Sequence, residues 1–292
     1  MQKPARYVGG EYGQIKKDLK NVEVRAAFCF PDVYEIGMSN LGVKILYGLY
    51  NSLDYVWCER CFAPWPDMEA QMRARGLALY ALESGDALDQ FDIIAFSLSY
   101  ELSYTNLLNM LDLAGLPLYA SQREGLEHLV IAGGCCAVNP EPLADFVDVF
   151  LLGDGEEESV EFLELYRDAK ARRLSKREFL LAAAQGIRGV YVPSLYTPHY
   201  TETGDFAGLS AAPGAPETVE KRAVGDLDAM YFPESVVVPS TQVIHDRVML
   251  EVMRGCMRGC RFCQAGHAYR PIREKSPQTL FRQAKALVES TG

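Results

Sequence analysis

The sequence predicts an α/β chain: a Rossmann- or flavodoxin-like parallel sheet followed by the first βα unit of a second α/β domain. Three observations predict it. Short apolar runs alternate with amphipathic segments through residues 22–170. Each run ends in a Gly-, Ser- or Asp-rich loop, as the strands of a doubly wound sheet do at their ligand-binding ends. A later apolar run, residues 249–253, leads through a glycine-rich loop to an amphipathic helical segment.

Taken in order, residues 1–21 are polar and mixed in charge and read as an N-terminal extension. Residues 22–30 (VEVRAAFCF) form a first strand, 31–37 its turn and 40–53 a helix. A strand over 55–62 is followed by a helix over 67–75 after Pro66, then by a buried strand over 91–98 and a helix over 104–113. Residues 129–132 stop at Gly133-Gly134, and the run 147–152 stops at Gly153-Asp154-Gly155-Glu156, where a helix begins and reaches about residue 169. Residues 171–245 read as a connector, with a helix over 176–185, an extended piece over 189–200 and a Gly-, Pro-, Ala- and Thr-rich loop over 201–220. Residues 246–292 start the second domain, with Pro277 at the first position of a helix that reaches Glu289.

Composition narrows the function classes. At 292 residues the chain has room for roughly two domains. It is 49% hydrophobic and 23% charged, enough to bury a sizeable core. The absence of a long uncharged apolar run argues against a transmembrane helix, and the polar start argues against a signal peptide, so a cytoplasmic location is expected. A net charge of −10 and a pI of about 5.0 have the wrong sign for bulk binding to nucleic acid. Eight cysteines in such a chain point to a metal or cluster before a disulfide framework.

Three of those cysteines, Cys256, Cys260 and Cys263, share one short loop. Thiolates at C-x3-C-x2-C spacing suit three corners of a [4Fe-4S] cubane and leave the fourth iron open to a small chelating molecule. Gly255, Gly259 and Gly266 permit tight turns, Arg254, Arg258 and Arg261 offset thiolate charge, and Phe262 could face a bound nucleoside. Two alternatives stand beside this reading: a Cys3His zinc site completed by His267, and structural cysteines clustered by chance.

Strand, Arg254-Gly-Cys-Met-Arg-Gly-Cys-Arg-Phe-Cys263, glycine and helix together resemble the opening βα unit of the radical SAM superfamily. The resemblance implies a [4Fe-4S] cluster on the three cysteines, S-adenosyl-L-methionine beside it with Phe262 near the adenine, and a 5′-deoxyadenosyl radical as product. Upstream, Asp32-Val-Tyr34-Glu-Ile-Gly37 resembles the Asp-x-His-x-x-Gly element of cobalamin-binding domains, with Tyr34 where the lower axial histidine of cobalt would stand. A phenol is a poor ligand for that role, so any bound cobalamin is expected to have no histidine beneath the metal. Ser97 and Ser99, Gly133 and Gly134, and Gly153, Gly155 and Glu156 match further loops of that family, the glycines admitting a nucleotide tail and the helix start offering free N–H groups. The whole chain is similar to radical SAM proteins with an N-terminal B12-binding domain. This implies radical generation or methyl transfer once the (β/α) barrel is complete, without supplying a substrate. Only about 45 residues remain for a barrel that needs on the order of 200, so the chain is expected to be a fragment or half of a split enzyme, with a partner chain supplying the rest. A non-catalytic corrinoid- or cluster-binding module and a zinc-stabilised structural domain are the alternatives.

Other candidates are weaker. Cys58 and Cys61 could form a redox or metal pair, although a strand puts them on opposite faces; Cys135-Cys136 beside the double glycine reads as a ligand contact or as small buried residues, and Cys29 as a core thiol. His128, His199 and His245 are scattered, and Tyr100, Glu101, Tyr104 and Asn106 are equally explained by packing at a helix start.

Overall fold

The apolar runs become the strands of one sheet in the computed structural model, which describes residues 1–291. They are β1 (Val24–Phe30), β2 (Val56–Phe62), β3 (Ile93–Ser97), β4 (Leu129–Gly133), β5 (Val149–Leu151) and β6 (Val190–Tyr191). Their spatial order is β2-β1-β3-β4-β5-β6. The first five are parallel and β6 is antiparallel to β5. This is the flavodoxin-like order, in which the winding reverses between β1 and β3. β6 and the helix before it lie in the stretch read as connector, yet they pack on this sheet.

Six helices accompany the sheet: α1 (Tyr34–Gly37), α2 (Leu41–Ser52), α3 (Pro66–Arg75), α4 (Tyr104–Leu113), α5 (Gly155–Arg172) and α6 (Lys176–Gly186). Strand side chains alternate between faces. β1 thus sends Val24, Ala26, Phe28 and Phe30 into one core, and Ala27 and Cys29 into another. The first core is closed by α2, α5 and α6, where Phe162 and Phe179 meet edge to face at 5.4 Å. The second is closed by α3 and α4 through Met72, Leu107 and Met110. Burial on both faces is what a parallel sheet requires.

Local signals set the helix ends. Asn40 accepts the Val43 N–H at 3.1 Å to cap α2, and Ser175 and Glu178 form a capping box at α6. The exposed edge of β2 is covered by the N-terminal extension. Trp57 donates to the Ile15 carbonyl, and the buried Arg60 guanidinium lies between Glu11 and Glu83, each at 2.6 Å.

Two segments differ from expectation. Residues 201–220 contain a strand, β8 (Phe206–Ala211), paired with β7 (Tyr196–Tyr200) in a hairpin exposed on both faces. The strand expected at 249–253 shrinks to β9 (Met253–Arg254), whose partner is the antiparallel β10 (Arg273–Glu274). Between them lies α7 (Ala265–Ala268), and α8 (Pro277–Thr291) follows where a helix was expected. Leu287 of α8 joins Ile45 and Phe232 in a small third core, which holds this arm against α2.

Candidate functional site

The carboxyl ends of β3, β4 and β5 open onto a crevice of about 340 Å³. Six residues expected at a cofactor site line it: Ser97, Ser99, Gly134, Gly153, Gly155 and Glu156. Gly133 lies just outside, at the end of β4, with an added Cβ 3.4 Å from the Leu151 carbonyl. The opposite wall comes from the chain's own later segments: Lys221, Arg222, Glu251, Arg254, Ala268 and Tyr269.

The turn after β1 is elsewhere. Tyr34 is 1% exposed, and its hydroxyl donates to Glu11 at 2.6 Å. Burial, reinforced by that bond, pushes its pKa well above the ordinary phenol value, so no phenolate is on offer. The Asp32 carboxylate accepts the Tyr100 hydroxyl and the Val33 N–H. Gly37 makes room for Phe62, whose ring lies 2.2 Å from where a Cβ would stand.

The glycines of the crevice face protein in the same way. At Gly134 an added Cβ would meet the Leu98 carbonyl at 2.6 Å, and at Gly153 the Arg222 carbonyl at 2.0 Å. Gly153 is in fact bridged to Arg222, a residue absent from the sequence reading. The close backbone approach that these glycines permit is therefore to the chain itself.

The acidic turn holds the arm. Asp154 accepts from Arg254 at 2.8 Å, from the Val224 N–H at 2.9 Å and from Arg273, while Glu156 accepts from Arg254 at 2.7 Å. Glu251 also pairs with Arg254, at 2.9 Å, and the buried Lys275 lies 3.7 Å from Glu251. Three carboxylates thus meet three cations. Burial tends to raise the Asp154 pKa, but the two guanidinium groups outweigh it and hold the carboxyl below its ordinary value. Arg254, expected to offset thiolate charge, is committed to carboxylates instead. Glu251, Arg273 and Lys275 went unnoticed in the sequence because their partners in space carry no local pattern.

The cysteine loop spans residues 255–272 and is closed at its base by β9 and β10. Gly255, at φ 102°, passes under the Pro271 and Tyr269 carbonyls, 2.6 and 2.7 Å from an added Cβ, and Gly259 turns the chain at φ 65°. Cys256 and Cys263 are half-buried and Cys260 is exposed, all three with free thiols. Among the described residues no three His, Cys, Asp or Glu side chains converge as a finished metal site, so a cluster would have to gather the loop around itself. Phe262 is 92% exposed and His267 is also exposed. Arg258 and Arg261 are exposed and make no ion pair among the described residues. The other cysteines are less suited to ligation. Burial raises the thiol pKa of Cys29 and Cys58 far above its usual value and that of Cys136 to about 12. Cys135 reaches the crevice, where it donates to the Ser99 carbonyl at 3.0 Å.

A family model described as the N-terminal region of radical SAM proteins matches residues 42–193, from α2 to just past β6. The chain belongs to the radical SAM proteins. The matched part holds β2 to β6 of the sheet, β1 precedes it and the cysteine loop follows it. This radical SAM chain is also 27% identical over 271 residues to an uncharacterized protein of Methanocaldococcus jannaschii, covering 92% of this chain and 46% of that protein. The chain therefore spans somewhat less than half the length of this relative.

Among the described residues no helix is long and apolar enough to cross a membrane.

Proposed function

We propose that the loop at residues 255–272 binds a [4Fe-4S] cluster through Cys256, Cys260 and Cys263, and S-adenosyl-L-methionine beside it. The observation that carries this reading is the loop itself: three free, accessible thiols on a segment turned by two left-handed glycines and closed by a strand pair. Family membership supports it. Bound and reduced, such a cluster would supply the electron that cleaves the sulfonium to a 5′-deoxyadenosyl radical. Of the chain's own residues, the thiols bind, Gly255 and Gly259 set the turns, and Phe262 is free to cover an adenine ring.

Anaerobic reconstitution with iron and sulfide should load about four irons per chain with broad visible absorbance. Alanine at any one of the three cysteines should lower the loading, whereas alanine at Cys29 or Cys136 should not. Tight zinc binding without iron loading would favour the Cys3His alternative and overturn the proposal.

Cobalamin is not carried into it, because the residues do not fit. Tyr34 is buried on Glu11, Asp32 is bonded to Tyr100, and the crevice glycines and acids are engaged by the chain's own residues. Turnover is proposed for an assembly in which further α/β elements, including those of a partner chain, cover the cysteine loop. Exposed Phe262, Met257 and Phe281 support such a cover.

A further inference from the structure

The base of the cysteine loop carries an electrostatic problem. Arg254 and Arg273 are direct cross-strand partners in the β9–β10 ladder, which has two residue pairs and is continued by the Lys275 N–H bond to the Val252 carbonyl, while Lys221 donates to the Ala268 and Arg270 carbonyls of the loop. Like charges directly opposite each other destabilise a strand pair. Here both guanidinium groups are largely withdrawn from water, so solvent screens them poorly. One carboxylate lies between them: Asp154 Oδ1 accepts from Arg254 and Oδ2 from Arg273. Glu156 and Glu251 take the remaining donors of Arg254, and the Val224, Pro271 and Tyr269 carbonyls take those of Arg273. Asp154 itself is fixed from behind, at the N-cap of α5, by the Val224 N–H and by the bridge from Gly153 to Arg222.

We propose that Asp154, reaching across from the sheet, is the latch of the cysteine loop: a positioning residue that lets β9 and β10 pair, with Glu156 as its second point of hold. The acidic turn at the end of β5 then serves the arm and not a corrinoid tail. Asp154 touches no cysteine. It acts through Arg254, which is joined to Cys256 by Gly255 alone.

The latch is defined without metal, and only its consequence for ligation rests on the cluster reading above. The test is amide hydrogen exchange of the metal-free full chain, followed through residues 249–275. Asp154→Ala should speed exchange there by about a hundredfold or more, since breaking a buried pair strands its partners. Exchange in β1 and β3 should stay unchanged. Arg273→Met should leave the loop closed, because the like-charge opposition disappears with its partner. The double variant Asp154→Ala/Arg273→Met should therefore recover much of the protection, a rescue that mere loss of packing would not give. If Asp154→Ala does not fold, Asp154→Asn tests the same latch, because it keeps the shape and the α5 cap while removing the charge between the two guanidinium groups, and it should open the loop. Unchanged loop exchange in a folded Asp154→Ala or Asp154→Asn protein would overturn the proposal. Retention of added hydroxocobalamin by the natural chain through gel filtration, lost in Asp154→Asn, would overturn it equally, because the turn would then be a corrinoid contact. Failure of the natural chain to load iron, with the exchange results as expected, would sink the cluster reading and leave the latch standing. Where iron loads, the closed Arg273→Met variant should keep the natural electron paramagnetic signature and Asp154→Ala should broaden it.

Discussion

Individual residues separate what motif spacing conveys from what burial decides. Tyr34 stands at the right sequence position for a lower axial ligand, yet its hydroxyl is spent on Glu11 within a buried network around Arg60. No spacing rule encodes that, because Glu11 and Arg60 come from the extension and from β2. Glu158 was equally invisible. It is fully buried in α5, and neither carboxyl oxygen has a hydrogen-bond partner. Burial foremost drives its pKa up to about 8, with the Arg222 guanidinium opposing the rise and Glu161 and Asp154 adding to it. A carboxyl with its folded pKa above the unfolded value of about 4.3 binds its proton more tightly in the native state. Its contribution is whole below pH of about 4.3 and is lost as pH climbs to about 8, by an amount on the order of a few kcal/mol. Urea titrations should show natural-chain stability falling relative to Glu158→Gln across that window. Parallel pH profiles for the two proteins would rule this out.

At the scale of elements, the strands and helices of the sheet were legible because both faces are apolar and Asn40, Pro66, Ser175 and Pro277 mark helix starts. The β7–β8 hairpin was not legible, since neither face is buried and no alternation is written into it. Nor was the contraction of the strand expected at 249–253, whose hydrogen-bonding partner lies beyond the cysteine loop. The loops at the strand ends follow from backbone needs. Gly134 and Gly153, at φ 99° and 121°, bring an added Cβ within 2.6 Å and 2.0 Å of rigid carbonyl oxygens. Alanine at either should cost at least about 1–3 kcal/mol from backbone strain before the overlap is counted. Gly76 also has a positive φ but has open space around it, so Gly76→Asn should cost much less. Urea midpoints of the three variants check this ranking, and a Gly153→Ala protein as stable as Gly76→Asn would refute it.

Across the whole molecule, two different forces hold two different parts. The sheet is sealed by two extensive apolar cores, while the arm that carries the cysteines rests on an ion-pair seat and the small core of Leu287, Ile45 and Phe232. That the crevice would lie at the strand ends followed from the alternation of elements. That the chain's own arginines would occupy its acidic rim did not, because the pairs join residues 98 to 119 positions apart. The division predicts unequal stability. Non-directional burial scales with apolar area, and the arm has little of it, so the arm should open at a lower free energy than the sheet. Leu287→Ala removes the largest apolar anchor of α8. A buried leucine truncated to alanine loses about 2–5 kcal/mol, and here that loss falls on the arm alone. Exchange of amides in α8 and the cysteine loop should rise steeply in Leu287→Ala while those of β1 and β3 keep their natural rates. A uniform rise across the chain would mean that arm and sheet unfold as one unit, and that the arm is bound far more tightly than its contacts imply.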